Sequence, residues 1–336
     1  MVATGPDDPH GPGATTPGPR PAPGRCGLAE TDLQELGREV LAAWDGFLEV
    51  VRDPATDLTR PSRLQGWTGR DVLVHLGSWP DARVMEALLA SADEGGHGTT
   101  PPPDAGNEVL VAAHRDAGVE EVVESLVRAR ERIAHFWESE AQTYGRLLSR
   151  STVGPLPVAS LVHAGTFELA VHAMDLAPCG APPPPAQLLD RGLAALIDLT
   201  GNLAAHADVE IELTGQTPSG GWQFASGPEG WSTVRTPPGE VAGVGVRGTH
   251  ADLLDAAAGR SSLPQLLLTR RLVVHQLPQW MRLAPLLDDV PGLPGGAALK
   301  TAVGGLSGVV GGLSSVAGGM STVAGGVGRA LGRFRR

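Results

Sequence analysis

Pro61-Ser62-Arg63-Leu64-Gln65-Gly66-Trp67-Thr68-Gly69-Arg70-Asp71-Val72-Leu73-Val74-His75-Leu76 is the stretch from which the fold can be read. Leu58 to Gly66 reads as a loop. Thr68-Gly69-Arg70-Asp71 then places a hydroxyl at a helix N-cap and a carboxylate three residues later, the capping-box pattern, so a helix opens here and runs to about Ala92. His75 falls two turns inside it, beside Leu73, Val74 and Leu76. Upstream, Leu33, Leu36, Val40, Leu41, Trp44, Phe47, Leu48 and Val51 recur at spacings of three and four, which predicts an amphipathic helix from Glu30 to Arg52.

Downstream, a polar stretch with Gly and Pro from Asp93 to Asn107 separates the His75 helix from a third, Val119 to about Leu148, carrying Val122, Leu126, Ile133 and Trp137. A fourth begins after Pro157 and runs to about Leu176. The proline run Pro182 to Pro185 stops it, and one more helix, Gln187 to Ala205, follows. Four or five antiparallel helices on short loops predict an all-α bundle over residues 28–206.

After Ala207 the period changes. Val209, Ile211 and Leu213 alternate with polar residues, as do Trp222 and Phe224, and Val241, Val244 and Val246 stand among glycines. Turn chemistry at Gly215 to Gly221 and Ser226 to Gly230 makes this a small antiparallel sheet, and helical patterns return at Thr249 to Ala258 and Thr269 to Leu287. Residues 207–290 are therefore expected to form a second domain of α+β class.

Both ends differ from this. Residues 1–27 are rich in proline and glycine and lack an apolar run, so they read as a disordered, polyproline-like tail without a targeting signal. In residues 291–336, Gly-Gly recurs at 304, 311, 318 and 325, and Leu306, Val309, Leu313, Val316, Met320, Val323 and Val327 form a heptad seam. Thr301 to Gly328 carries no charge and Arg329, Arg333, Arg335 and Arg336 follow, which suits a membrane surface or self-association through residues 299–336. Its many glycines equally suit a flexible tail or a loosely packed helix.

Composition narrows the function. The 336 residues carry a net charge of −11, which repels nucleic acid and excludes it as a partner class. The two cysteines, Cys26 and Cys179, lie far apart and form no C-x-x-C, so neither a disulfide framework nor a cysteine zinc cluster is expected, and a cytoplasmic setting fits.

Glu168-Leu169-Ala170-Val171-His172 carries the chemistry. A spacing of four puts carboxylate and imidazole on one helical face, about 6 Å apart at Cβ, where the pair can share a metal or form a structural ion pair. With His75 the set becomes two imidazoles and one carboxylate, the donors of an open catalytic zinc site. His163 reads as an interior residue or an outer neighbour of that set, and His114, His135, His206, His250 and His275 have no partners by spacing. Asp71 reads as a helix cap, Asp175 as an acceptor for a ligand histidine or a last-turn polar residue, and Trp67 as loop packing. Arg235 and Arg247 read as a solvated strand face or as contacts to an anionic substrate.

The Pro61 to Leu76 block, followed by Glu168 to Leu176, resembles the mycothiol-dependent maleylpyruvate isomerase family, with its G-W-T-x-x-D-x-x-x-H-L signature. The resemblance implies a DinB-like four-helix bundle in which His75, Glu168 and His172 bind a divalent metal, zinc being the expected ion. It also implies a sterol-carrier-like C-terminal domain, similar to the G-P-x-G-W-S-T-V-R and V-R-G-T-H-A-D-L-L-D-A-A-A-G-R runs between Val209 and Arg260. The implied function is that of an isomerase or transferase using mycothiol or a similar thiol on a small electrophilic substrate. The metal would lower the pKa of the thiol, and addition, rotation and elimination would convert a cis to a trans double bond. The resemblance assigns no residue to the thiol or the substrate. Ala173-Met174 stands where many relatives carry Arg-Trp or a small residue and Trp, which leaves a noncatalytic metal-binding or ligand-binding protein as the alternative.

Overall fold

The computed structural model describes residues 18–283, apart from 23, 99, 101 and 102. From the N-terminal side, β1 (Arg25–Cys26) and a 3-10 turn (Gly27–Glu30) lead into α1 (Leu33–Arg52), where Asp32 accepts the Gln34 N–H as N-cap. Leu36, Val40 and Phe47 on α1 are fully buried, as the three-and-four spacing requires.

The capping box closes in both directions at α2 (Gly69–Leu76): Asp71 N donates to the Thr68 hydroxyl and Thr68 N to the Asp71 carboxylate. The helix is shorter than its pattern predicts. Gly77 turns extended and Pro80 follows without an N–H, while the Trp79 indole donates to Val74 O and seals the break, so α3 (Val84–Asp93) is a separate element. The linking stretch itself folds, into α4 (Pro103–Ala113), with Pro at a position where the missing N–H costs nothing. Beyond α5 (Val119–His135) the expected long helix widens into a π-helical turn (Phe136–Glu140) and ends with α6 (Ala141–Tyr144). Leu148, assigned to that helix by its pattern, pairs instead in β2 (Leu148–Ser149) with β3 (Leu156–Pro157).

α7 (Val158–Asp175) and α8 (Ala186–His206) form the closest helix pair, and α1 touches both as well as α5. A Cβ at Gly192 would lie 2.5 Å from that of Ala170, so only glycine allows this approach. α2 packs between α5 and α7, which carries His75 toward the α7 face holding Glu168 and His172.

The sheet comprises β1, β4 (Ile211–Thr217), β5 (Gly220–Gly227), β6 (Gly230–Thr236), β7 (Gly245–Arg247) and β8 (Val273–His275) in the order β1-β6-β5-β4-β7-β8. α8 lies across β5 and β6 and so joins the helical region to the sheet. α9 (His250–Ala257) packs on α8 and α7, followed by α10 (Leu263–Leu268). The helix expected over Thr269 to Leu287 is absent from its described part. Arg270 and Gln276 adopt left-handed backbone (φ 58° and 52°) and break it around the β-branched Val273-Val274 of β8, leaving only α11 (Leu277–Trp280).

The tail expected over residues 1–27 ends as structure. Arg25 and Cys26 pair in parallel with Gly230 and Trp231, and Gly230 (φ 104°) has no Cβ to strike the Arg25 carbonyl. Residues 1–17 and the heptad tail 291–336, with its membrane and self-association readings, lie outside the described residues. No described helix is long and apolar enough to cross a membrane.

Candidate metal centre

His75 is delivered by the capping box two turns upstream, and Glu168 and His172 by consecutive turns of α7. One potential ligand atom from each lies within 4.8 Å of the other two. Glu168 Oε2 stands 3.3 Å from His172 Nε2 and 3.8 Å from His75 Nε2, and the two imidazole rings are edge to face at 5.2 Å. A tetrahedral zinc ion with bonds of about 2.0–2.2 Å spaces its ligands at roughly 3.3 Å, so small side-chain adjustments reach that geometry.

The surroundings are asymmetric. His172 is buried, His75 is 17% exposed at its side chain, and Glu168 is 50% exposed, so the cluster opens on the Glu168 side. Trp67 stands edge-on to His75 at 6.1 Å and walls one flank. The His75 Nδ1 is buried without a hydrogen-bond partner among the described residues.

The charges hold one another. Partial desolvation beside the two rings would raise the Glu168 carboxyl, yet hydrogen bonds from His172 and His75 outweigh it and keep the group well below the usual carboxylate range. Burial likewise opposes charge on His172, but Asp175 and Glu168 on either side raise it to about 9. Asp175, pulled down to about 2 against its own desolvation by His172 and Arg260, is ionised and can only accept. Its Oδ2 therefore receives the His172 Nδ1–H at 3.0 Å and leaves Nε2 facing the site.

Three further residues that the sequence reading did not single out complete this corner. Arg63 Nε donates to Asp175 Oδ1 at 3.0 Å while its two terminal nitrogens grip both oxygens of Asp255 at 3.0 and 2.7 Å. Arg260, just after α9, donates from Nε and NH2 to Asp175. Arg63 lies inside the quoted motif, but its partners are 112 and 192 positions away, a separation no local spacing rule spans.

The remaining candidates fall elsewhere. Asp71 completes the capping box of α2, and of the two readings of Asp175 it is the acceptor for His172 that the structure shows. His163 is buried on α7 with neither ring nitrogen partnered among the described residues. His114 has gained partners through the fold, Asp81 at 3.0 Å and the stacked Trp79 ring. His250 faces Asp190 at 3.6 Å, and Arg235 joins Asp190 and covers the Trp222 ring, while Arg247 is exposed. A cavity of about 810 Å³ lined by Arg20, Arg25, Cys26, His206 and Trp231 is bordered by none of the three clustered ligands.

Residues 38–177 match the family model described as the mycothiol maleylpyruvate isomerase N-terminal domain. Two solved structures are similar: the crystal structure of a mycothiol-dependent maleylpyruvate isomerase, 20% identical with a TM-score of 0.44, covering 71% of this chain and 94% of that one. The other is a histidine-to-alanine mutant of an enzyme of the same description, 18% identical with a TM-score of 0.43, covering 71% and 93%. No curated protein matches the chain.

Proposed function

From the match of residues 38–177 to the mycothiol maleylpyruvate isomerase N-terminal domain model, we propose that the chain is a divalent-metal-dependent isomerase or transferase that uses a thiol of the mycothiol type on a small electrophilic substrate. The observation that carries this reading is the meeting of His75, Glu168 and His172 with ligand atoms within 4.8 Å. Two imidazoles and a carboxylate with one open side are the donor set of catalytic zinc sites, so the residues fit such an ion. When bound, the ion would supply Lewis acidity, lowering the pKa of a coordinated thiol so that thiolate forms near neutral pH.

The chain's own groups set the conditions for that chemistry. Asp175 keeps the proton of His172 on Nδ1 and so directs Nε2 at the site. Glu168 lies on the exposed side, from which small molecules gain access. Neither cysteine can act as the nucleophile: burial pushes Cys26 up to about 11 and raises Cys179 too, and both are buried. A thiol must therefore come from a separate molecule. Both cysteines are free, in keeping with a reducing, cytoplasmic setting. Ala173 and Met174, the departure that favoured a noncatalytic protein, sit in the hydrophobic core, so the change alters packing more than the surface offered to a substrate.

Metal content by mass spectrometry on the purified wild type and on His172→Ala, each checked for folding by circular dichroism, tests the centre. About one divalent ion per wild-type chain, lost in the folded variant, is the expected result. Metal-dependent consumption of mycothiol or isomerisation of a cis-unsaturated acid then tests the reaction. A wild type that takes up no added zinc ends the reading.

A further inference from the structure

Asp255, Arg63, Asp175 and Arg260 form a chain of alternating charge at the corner where the C-terminal region meets the candidate metal centre. Two members belong to the helical region and two to the segment around α9. Asp175 is wholly buried and needs its positive partners, since an uncompensated carboxylate there would be strongly unfavourable. Arg260 reaches both Asp175 oxygens, so it already satisfies that need. Arg63 does something Arg260 does not. Its Nε serves Asp175 while its two terminal nitrogens clasp Asp255, so one rigid guanidinium plane ties the acceptor of His172 to α9. The Arg63 backbone N–H also donates to the Asp175 carbonyl at 3.0 Å, which pins the loop to the end of α7.

The chain returns on the other side. Arg260 N and Ser261 N both donate to the Asp255 carbonyl, at 2.8 and 3.2 Å, so Asp255 and Arg260 sit on one tight turn at the end of α9 and move together. Displacing α9 would draw Asp255 from Arg63 and Arg260 from Asp175 in the same motion. Asp175 would then lose the groups that fix its side chain, and His172 the acceptor that fixes its ring.

We infer that Arg63 is a positioning residue that couples the docking of α9 to the orientation of the His172 imidazole, so the C-terminal region sets how well the centre is formed. Its consequence for metal affinity rests on the reading of His75, Glu168 and His172 as ligands. The relay from Asp255 to His172 does not.

The test uses the full chain with Asp255→Asn, Arg63→Lys and the double variant, and cobalt(II) and zinc as probes. Lysine keeps the charge but cannot bridge two carboxylates with a planar fork. The first readout needs no metal: the nuclear magnetic resonance signal of the His172 Nδ1–H, assigned by its loss in His172→Ala. Asp255→Asn, which leaves Asp175 and His172 intact, is expected to shift or broaden it. The second is cobalt(II) affinity with its d–d absorption spectrum, expected to fall by roughly tenfold with an altered band shape in each single variant. If both act through one link, the double variant loses little more than Arg63→Lys alone. An unchanged Nδ1–H signal in folded Asp255→Asn, or cobalt losses that multiply as for independent sites, overturns the relay. A wild type that binds neither metal while Asp255→Asn still perturbs His172 keeps the relay and removes the metal reading.

Discussion

The Asp175 carboxylate accepts the Nδ1–H of His172 from one turn further along α7, at 3.0 Å and fully buried. A carboxylate behind a metal-binding imidazole fixes its tautomer and raises its basicity. Asp175→Asn keeps the size but offers an amide, whose oxygen accepts less strongly and whose NH₂ faces two arginines. Zinc affinity is expected to fall about 10–100-fold, measured by competition with a chromophoric chelator. Asp175→Ala additionally leaves Arg260 without its carboxylate and Arg63 with Asp255 alone. Because both guanidinium groups retain some solvent, the loss of stability should fall somewhat below the ~3–5 kcal/mol of a wholly buried broken pair, read by urea denaturation.

The same residues fix the sign of a pH dependence in the metal-free protein. His172 is raised from 6.5 in the unfolded chain to about 9, so the stability it contributes is complete below 6.5 and is lost as pH rises through 9. Asp175, lowered from 3.8 to about 2, contributes above 3.8 and loses that contribution as pH falls toward 2. A metal ion taking His172 Nε2 as ligand would have to displace the proton held there. Affinity should therefore climb by up to about tenfold per pH unit below 9, with about one proton released per ion near pH 7. Calorimetry in two buffers of different ionisation enthalpy measures that proton directly, and binding without release would mean that His172 is already neutral.

His163 behaves in the opposite way. It is buried on α7 with neither ring nitrogen paired among the described residues, and burial, helped by Arg191, pushes its pKa down to about 3. A base lowered from 6.5 binds protons more readily when unfolded, so the fold loses stability as pH drops from 6.5 toward 3. His163→Leu, similar in volume and apolar, should be neutral or stabilising by about 1–2 kcal/mol at pH 7. It should also flatten the decline between pH 6.5 and 4 in urea midpoints. An unchanged acid slope would assign it to other groups.

These residues mark how far the sequence could be read. The capping box at Thr68 and Asp71 and the four-residue spacing of Glu168 and His172 are local, and a short-range pattern is enough to read them. His75 joins them because α2 packs on α7, a meeting that the family resemblance implied and that no local spacing shows. Arg63, Asp255 and Arg260 were not legible, since their meanings depend on partners brought together across 85 to 192 positions. The break at Gly77 and the short β8 were obscured for another reason. Apolar periodicity continues through both, and backbone dihedrals at Gly77, Arg270 and Gln276 decide the outcome. The edge strand at Arg25–Cys26 is too short to show a period at all.

That edge strand is held by one buried carboxylate. Asp198 Oδ1 on α8 receives the Leu28 backbone N–H at 3.0 Å, the Trp231 indole N–H at 3.0 Å and the Thr233 hydroxyl at 2.6 Å. Three parts of the chain thus meet on a single oxygen: the turn after β1, helix α8 and strand β6. Burial raises the Asp198 carboxyl above its ordinary value, while the three donors oppose that rise. Asp198→Ala orphans all three donors, and at about 1–3 kcal/mol for each buried unsatisfied group the fold should lose several kcal/mol, unless water enters. The loss should appear first at the N-terminal segment: amide hydrogen exchange at Leu28 and Trp231 should accelerate by far more than exchange in α1 and α7. Uniform acceleration across all helices would show instead that Asp198 supports the whole fold rather than the junction of the N-terminal segment with the sheet.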